Sequence, residues 1–284
     1  MPIMNPQTIE QSDVAKLLPK RPEDSHKGRY GSVLVIGGAS GMAGAAILAS
    51  RAALKIGAGI VHAMLLDENA PSLDFMQPEL MLHRARDEFP SSTTMLAGCG
   101  MGKETIAQRL LLKALRSDAS LVLDADALNL IAIHEELRKI LIARRRPTVL
   151  TPHPAEAARL LGCTTEEVQN DRCSSAQKLA ETFGCSAVLK GWGSLCVLRD
   201  GRLYINKTGN PGMSAPGMGD TLSGLIAGLI AQRLNMEDAL LLAVHLHGAA
   251  GDELAKKNAV GMTAGELADK ARELLNHWIS ERIA

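Results

Sequence analysis

Short apolar runs alternate with longer helical stretches along most of this 284-residue chain, and no other feature restricts its fold as much. The runs at 33–36, 60–65, 94–97, 121–123, 148–150 and 187–189 are each short and apolar, as strands buried on both faces are. Strands of that kind, separated by helices, predict an α/β fold in which helices cover a parallel sheet on both sides. Helices are expected at 45–56, 221–234, 236–257 and 263–279. From Ser194 the pattern changes: runs at 195–198 and 203–205 flank an Asp200-Gly201 turn and read as an antiparallel hairpin that closes one sheet edge. A hydrophobic share of 46% supplies the core that such a sheet needs, and no low-complexity linker or repeat marks a boundary. Residues 1–284 are therefore expected to form one domain, in which 1–25 are a polar leader with a short helix near 8–18.

Charge and cysteine usage exclude several classes of function. Lys+Arg and Asp+Glu are equal at 31 each, so no net field draws nucleic acid or an anionic membrane, and anions must be held by local geometry. The N-terminus lacks a signal-peptide pattern and no apolar run approaches the ~20 residues of a membrane span, which points to a soluble cytoplasmic protein. The five cysteines are odd in number and form no Cys-x-x-Cys pair, so they read as reduced thiols. Cys99 stands apart because it lies in a glycine-rich turn.

In open parallel sheets ligands bind beyond the carboxyl ends of the strands, so the loops there carry the chemistry. After the first strand, Gly37-Gly38-Ala39-Ser40-Gly41-Met42-Ala43-Gly44 fits either a tight turn or a close ligand approach, and it lacks the Lys-Ser/Thr of a phosphate-binding P-loop. Gly98-Cys99-Gly100-Met101-Gly102 departs from the dinucleotide fingerprint, because Lys103 stands where the third glycine would be. Asp124-Ala125-Asp126-Ala127-Leu128-Asn129 fits a pair of magnesium ligands or a helix start capped by Asp126. In Thr151-Pro152-His153-Pro154-Ala155-Glu156 two prolines fix the backbone around His153. His245 and His247 are two apart on a helix and share no face, which suits packing roles. Arg144-Arg145-Arg146 reads as solvated surface at a helix end.

The strongest signal is Gly217-Met218-Gly219-Asp220 before an apolar helix. Unpaired amides at the positive end of a helix dipole make an anion site. Asp220 there is either a cap or a base that takes a hydroxyl proton while the amides hold a transferring phosphoryl group. Upstream, Lys190 to Ser194 supply a lysine and two glycines at another strand end, so that a nucleotide fits between the two turns.

Taken together, Lys27-Gly28, Tyr30-Gly31, the Gly-Gly…Ala-Gly-Ala loop ending at Ala45, the Asp124 to Asn129 run, Thr151-Pro152-His153-Pro154, Leu189-Lys190-Gly191 and Gly217-Met218-Gly219-Asp220 resemble the bacterial NAD(P)H-hydrate dehydratases over about residues 25–280. The resemblance implies a three-layer ribokinase-like fold, with a mostly parallel central sheet and helices on both faces. It implies dehydration of the S epimer of NADHX and NADPHX at the expense of ADP or ATP, and a homotetramer. Residue by residue, it gives Asp220 as catalytic base; Ala45, Gly100, Gly102, His153 and Asp220 as contacts to the hydrated dinucleotide; and Lys190, Gly191, Trp192, Gly193, Ser194, Gly217 and Gly219 as contacts to the adenine nucleotide. Glu156, acting through water, and Asp124 are the expected Mg²⁺ residues. Three positions depart from the family pattern: Cys99 where it commonly has proline, Ala155 where it has glycine, and Pro216 where it has glycine. The epimerase often fused to this unit is expected as a separate chain. The alternatives are a ribokinase-like kinase of a small alcohol or vitamin precursor, and a silent nucleotide-binding sensor.

Overall fold

A computed structural model describes residues 5–17 and 21–281. Ten strands form one sheet: β1 (Gln7–Thr8), β2 (Ser32–Gly37), β3 (Ile60–Leu65), β4 (Met81–Arg84), β5 (Thr94–Ala97), β6 (Ser120–Leu123), β7 (Thr148–Leu150), β8 (Ser186–Leu189), β9 (Ser194–Val197) and β10 (Leu203–Asn206). Their spatial order is β1-β10-β9-β8-β7-β6-β5-β2-β3-β4. From β4 to β8 every pairing is parallel, and only β9 runs antiparallel to both of its neighbours.

Along β2 the side chains alternate between two cores: Val33 and Val35 point to one face, Leu34 and Ile36 to the other. The helices divide accordingly. Helices α2 (Ala43–Lys55), α9 (Met218–Ala231), α10 (Met236–Ala255) and α11 (Ala264–Glu281) fill the first core. On the second lie α3 (Thr105–Leu115), α4 (Ala125–Ile133), α5 (Glu135–Ala143), α6 (Pro154–Leu161), α7 (Thr165–Asn170) and α8 (Arg172–Phe183), while the short α1 (Gln11–Val14) follows β1 and adds Val14 to the first core. The three-layer architecture expected from the alternation is the one observed.

Two edges differ from expectation. The hairpin β9–β10 does not end the sheet, because β1 adds in parallel to β10 through Gln7 and Thr8. The segment expected as a helix over 8–18 therefore begins as a strand; its helical part is Gln11–Val14 with a 3₁₀ turn at Ala15–Leu17, and Leu18 lies outside the described residues. At the far edge, β4 pairs with β3 and was not expected. No helix among the described residues is long and apolar enough to cross a membrane.

Helix α9 is buried along nearly its whole length because it lies tight on α2. A Cβ on Gly224 would stand 2.2 Å from the Ala49 carbonyl oxygen, and one on Gly228 2.4 Å from Ile56 Cγ2. These glycines, costly in a helix interior by about 1 kcal/mol each, allow two backbones to touch. That contact fixes where the N-terminus of α9 points.

Candidate active site

Gly217 begins α9 with φ +86°, a left-handed conformation suited to glycine, and leaves the amides of the first turn facing outward with no side-chain cap. The helix starts at Met218, three residues earlier than expected, so Asp220 sits inside its first turn. Asp220 accepts a hydrogen bond from the Cys99 thiol and does not cap the helix. Burial and, next, the Asp124 carboxylate push its pKa up to about 6, against the pull of the Cys99 hydrogen bond and the Lys190 charge. A carboxyl group with that pKa is mostly ionised at neutral pH and holds a proton more readily than an ordinary aspartate.

On one side of this turn opens a cavity of about 900 Å³, lined by Lys190 to Ser194, by the 205–211 segment, and by Met218, Gly219, Leu222, Val244, His247 and Gly248. Its size suits a small nucleotide. Trp192 stands at the rim with 83% of its surface exposed, an aromatic face free to stack. The 207–210 loop is shaped by a polar network: Asp252 accepts from the Gly209 amide at 2.9 Å and from Asn210 Nδ2 at 3.0 Å, while Thr208 Oγ1 donates to the His245 carbonyl. His247 Nε2 lies 3.0 Å from the Met218 carbonyl, and burial lowers its pKa to about 4, so the neutral ring donates there and steadies the first turn of α9. The packing role expected for the two histidines fits His245, which is buried beside Trp278. It does not describe His247, which reaches the cavity because α10 passes under it.

On the other side, the loop after β2 meets the loop after β5. Gly38 N donates to the Cys99 carbonyl at 3.0 Å and Ala39 N to that of Gly100 at 2.7 Å. A Cβ on Gly100 would come within 3.1 Å of Ala45 Cβ, and one on Gly102 within 3.3 Å of Ala39 Cβ. The Gly102 amide donates to Asp126 at 2.8 Å. Ala45, Gly100 and Gly102 thus lie together, on the Cys99 side of Asp220 and outside the large cavity. His153 lines the cavity instead.

His153 caps α6: its Nδ1 accepts from the Ala155 amide at 3.1 Å, and Nε2 lies 3.2 Å from Glu156 Oε1. Burial, then the Lys190 charge, lowers its pKa, consistent with a neutral ring that carries its proton on Nε2. Glu156 is buried, accepts from the His153 amide, and is raised in pKa by burial.

Asp124, not Asp126, caps α4, accepting from the Ala125 amide at 2.9 Å. Its carboxylate also receives Lys190 Nζ at 2.7 Å and Ser223 Oγ at 2.8 Å. Asp124 lies next to Cys99 and Asp220, and one side-chain atom of each falls within 4.8 Å of the other two. Arg144 also departs from its expected surface role: half-buried, its guanidinium donates to the Leu115, Ser117 and Ala119 carbonyls and to Thr148 Oγ1. Nothing in the Arg144-Arg145-Arg146 string distinguishes the residue that turns inward.

Asn206 and Thr208, which the sequence left unmarked, line the cavity beside His247, and Asp252, also unmarked, braces the loop next to it. A model of the NAD(P)H-hydrate dehydratase family matches residues 33–273. The chain is 42% identical over 275 residues to the bifunctional NAD(P)H-hydrate repair enzyme of Coxiella burnetii, covering 94% of this chain and 55% of that one. It is 40% identical over 270 residues to the ADP-dependent (S)-NAD(P)H-hydrate dehydratase of Neisseria meningitidis, covering 93% and 89%. The chain thus spans about half the length of the bifunctional relatives. In structure it is similar to the ADP/ATP-dependent NAD(P)H-hydrate dehydratase of Bacillus subtilis co-crystallised with ATP/Mg²⁺, with a TM-score of 0.87 at 30% identity over 97% of this chain and 99% of that one.

Proposed function

The chain belongs to the NAD(P)H-hydrate dehydratase family, and on that footing we propose that it dehydrates the S epimer of NADHX and NADPHX, using ADP or ATP and releasing AMP or ADP with phosphate. The observation that carries this reading is the position of Asp220 between two differently built sides of one helix start. The nucleotide occupies the large cavity, with its base near Trp192 and its phosphates at the Gly217 and Gly219 amides. The hydrated ring lies against Ala45, Gly100 and Gly102, with His153 reaching it from the cavity side.

Water is a poor leaving group, and the reaction turns it into a better one. Asp220 takes the proton of the ring hydroxyl as the terminal phosphoryl group passes to that oxygen, and the amides of α9 hold the negative charge of the moving group. The C–O bond then breaks, phosphate leaves with the bonding pair, and loss of a proton from the neighbouring ring carbon restores the double bond. Mg²⁺ fits this site through water on Glu156, a buried carboxylate close to the cavity-lining His153 and Lys190. When bound, it neutralises charge on the phosphates. The same reading makes the protein a cytoplasmic homotetramer in which these residues form one dehydratase domain.

Mixing the protein with NADHX, Mg²⁺ and ADP or ATP tests the proposal. Reduced-nicotinamide absorbance should return only with nucleotide present, and the R epimer should remain. A lasting phosphate ester would identify a kinase of a small alcohol, and nucleotide binding without turnover a sensor.

A further inference from the structure

The Asp124–Lys190 pair lies between the two sides of the site, and its construction assigns it a task. Lys190 follows directly on β8, where its amide donates to the Pro152 carbonyl at 2.9 Å and Arg172 donates to its carbonyl. Its side chain crosses above β7 to Asp124 at the end of β6, two strands away. Nζ comes to rest 3.3 Å from the position that a Cβ on Gly219 would take, so the ammonium lies on the turn that presents the α9 amides. Although burial favours the neutral amine, the Asp124 and Glu156 carboxylates outweigh it and keep Lys190 charged.

Asp124 is the buried end of this pair. It is 1% exposed, and its remaining bonds tie it to the start of α4 and, through Ser223, to α9 one turn below Gly219. Ser223 Oγ in turn lies 3.2 Å from Thr151 Oγ1 at the end of β7. The carboxylate therefore joins three strand ends and the anion-binding helix, and its one charged partner is a cation that faces the nucleotide cavity.

We propose that Asp124 is a positioning residue that holds the Lys190 ammonium at the Gly219 turn, where the ammonium meets the terminal phosphoryl group of the nucleotide. The proposal rests on the dehydratase reading for the direction of transfer but not for the contact itself. The ammonium adds a full positive charge to the partial charges of the amides, on the side away from Asp220's hydrogen bond to Cys99. Asp220 is faced by Cys99 from the β5 loop, by Asp124 and Asp126 from the start of α4, and by Lys190 from the β8 turn. Asp124 raises its proton affinity and Lys190 lowers it, so the two halves of the pair act on Asp220 with opposite signs.

The test compares Asp124→Asn, Lys190→Met and the double variant in the full chain. Calorimetry with ADP and with AMP needs no hydrated substrate, so its result stands apart from the fate of the dehydratase reading. Each single variant should bind ADP roughly 10- to 100-fold more weakly, leave AMP affinity unchanged, and lose little more in combination. In kcat/KM against pH, Lys190→Met should move the acidic limb up and Asp124→Asn should move it down. A merely structural role would move neither limb, or both alike. Equal losses for ADP and AMP, additive losses in the double variant, or shifts of one sign overturn the proposal. If Asp124→Asn does not fold, Lys190→Met alone decides it by the ADP-to-AMP comparison.

Discussion

Asp220 shows how one residue's surroundings set its chemistry. The side chain is the same as in any aspartate, but burial first and the Asp124 charge next raise its pKa from 3.8 to about 6. If it is the catalytic base, kcat/KM should fall about tenfold per pH unit below about pH 6, because that ratio reports the free enzyme's essential base. A flat profile down to pH 4.5, about where ordinary carboxylates titrate, would remove it from that role. Stability follows the same group. Between 3.8 and about 6 the folded state holds the Asp220 proton and the unfolded state has lost it, so this contribution favours folding at low pH and is lost as pH rises through about 6. At pH 7 the ionised carboxylate then costs up to about 3 kcal/mol, which Asp220→Asn should recover in part. Urea melts at pH 4 and pH 7 should show the gain only at pH 7. The motif Gly217-Met218-Gly219-Asp220 was legible in the sequence because its glycines and its carboxylate stand in consecutive residues just before an apolar helix, where they bare the first amides. Cys99 as its hydrogen-bond donor was not, since that contact joins residues over a hundred positions apart.

Among elements, helix α9 matters most because its seat on α2 aims the anion site. A methyl group at Gly224 would meet the Ala49 backbone, which cannot move without disturbing α2. Gly224→Ala should destabilise by about 1–3 kcal/mol despite alanine's better helix propensity. Gly265→Ala, where a Cβ meets nothing within 4 Å, should instead gain about 0.5 kcal/mol. Thermal midpoints of the two variants separate packing from propensity, and equal shifts would rule packing out as the cause. Asp252→Ala should release the 207–210 loop and raise KM for ADP several-fold with kcat kept; unchanged KM would show that the loop does not shape the nucleotide site. The buried strands were legible because each is a short apolar run bounded by turns. β4, with its polar His83 and Arg84, and the two-residue β1 carry too little pattern for such a reading, and only pairing with β3 and β10 makes them strands.

Across the whole molecule, the sheet order brings the ends of β2, β5, β6, β7 and β8 side by side, so five loops far apart in sequence converge on the start of α9. Local patterns located those loops, since glycine turns and pinned prolines are written in consecutive residues. How they divide into a nucleotide side and a Cys99 side was not legible, because that depends on which loops touch, as the Gly38 and Cys99 backbones do. If both sides serve one carboxylate, removing its charge must silence a protein that still folds. Turnover of NADHX with ADP by Asp220→Asn, measured beside the thermal midpoint of the same preparation, decides this. The variant should be folded, with a midpoint at or above the parent's at pH 7 and kcat lower by roughly 10²–10⁴-fold; near-normal turnover in that folded variant would contradict the assignment of Asp220 as the base.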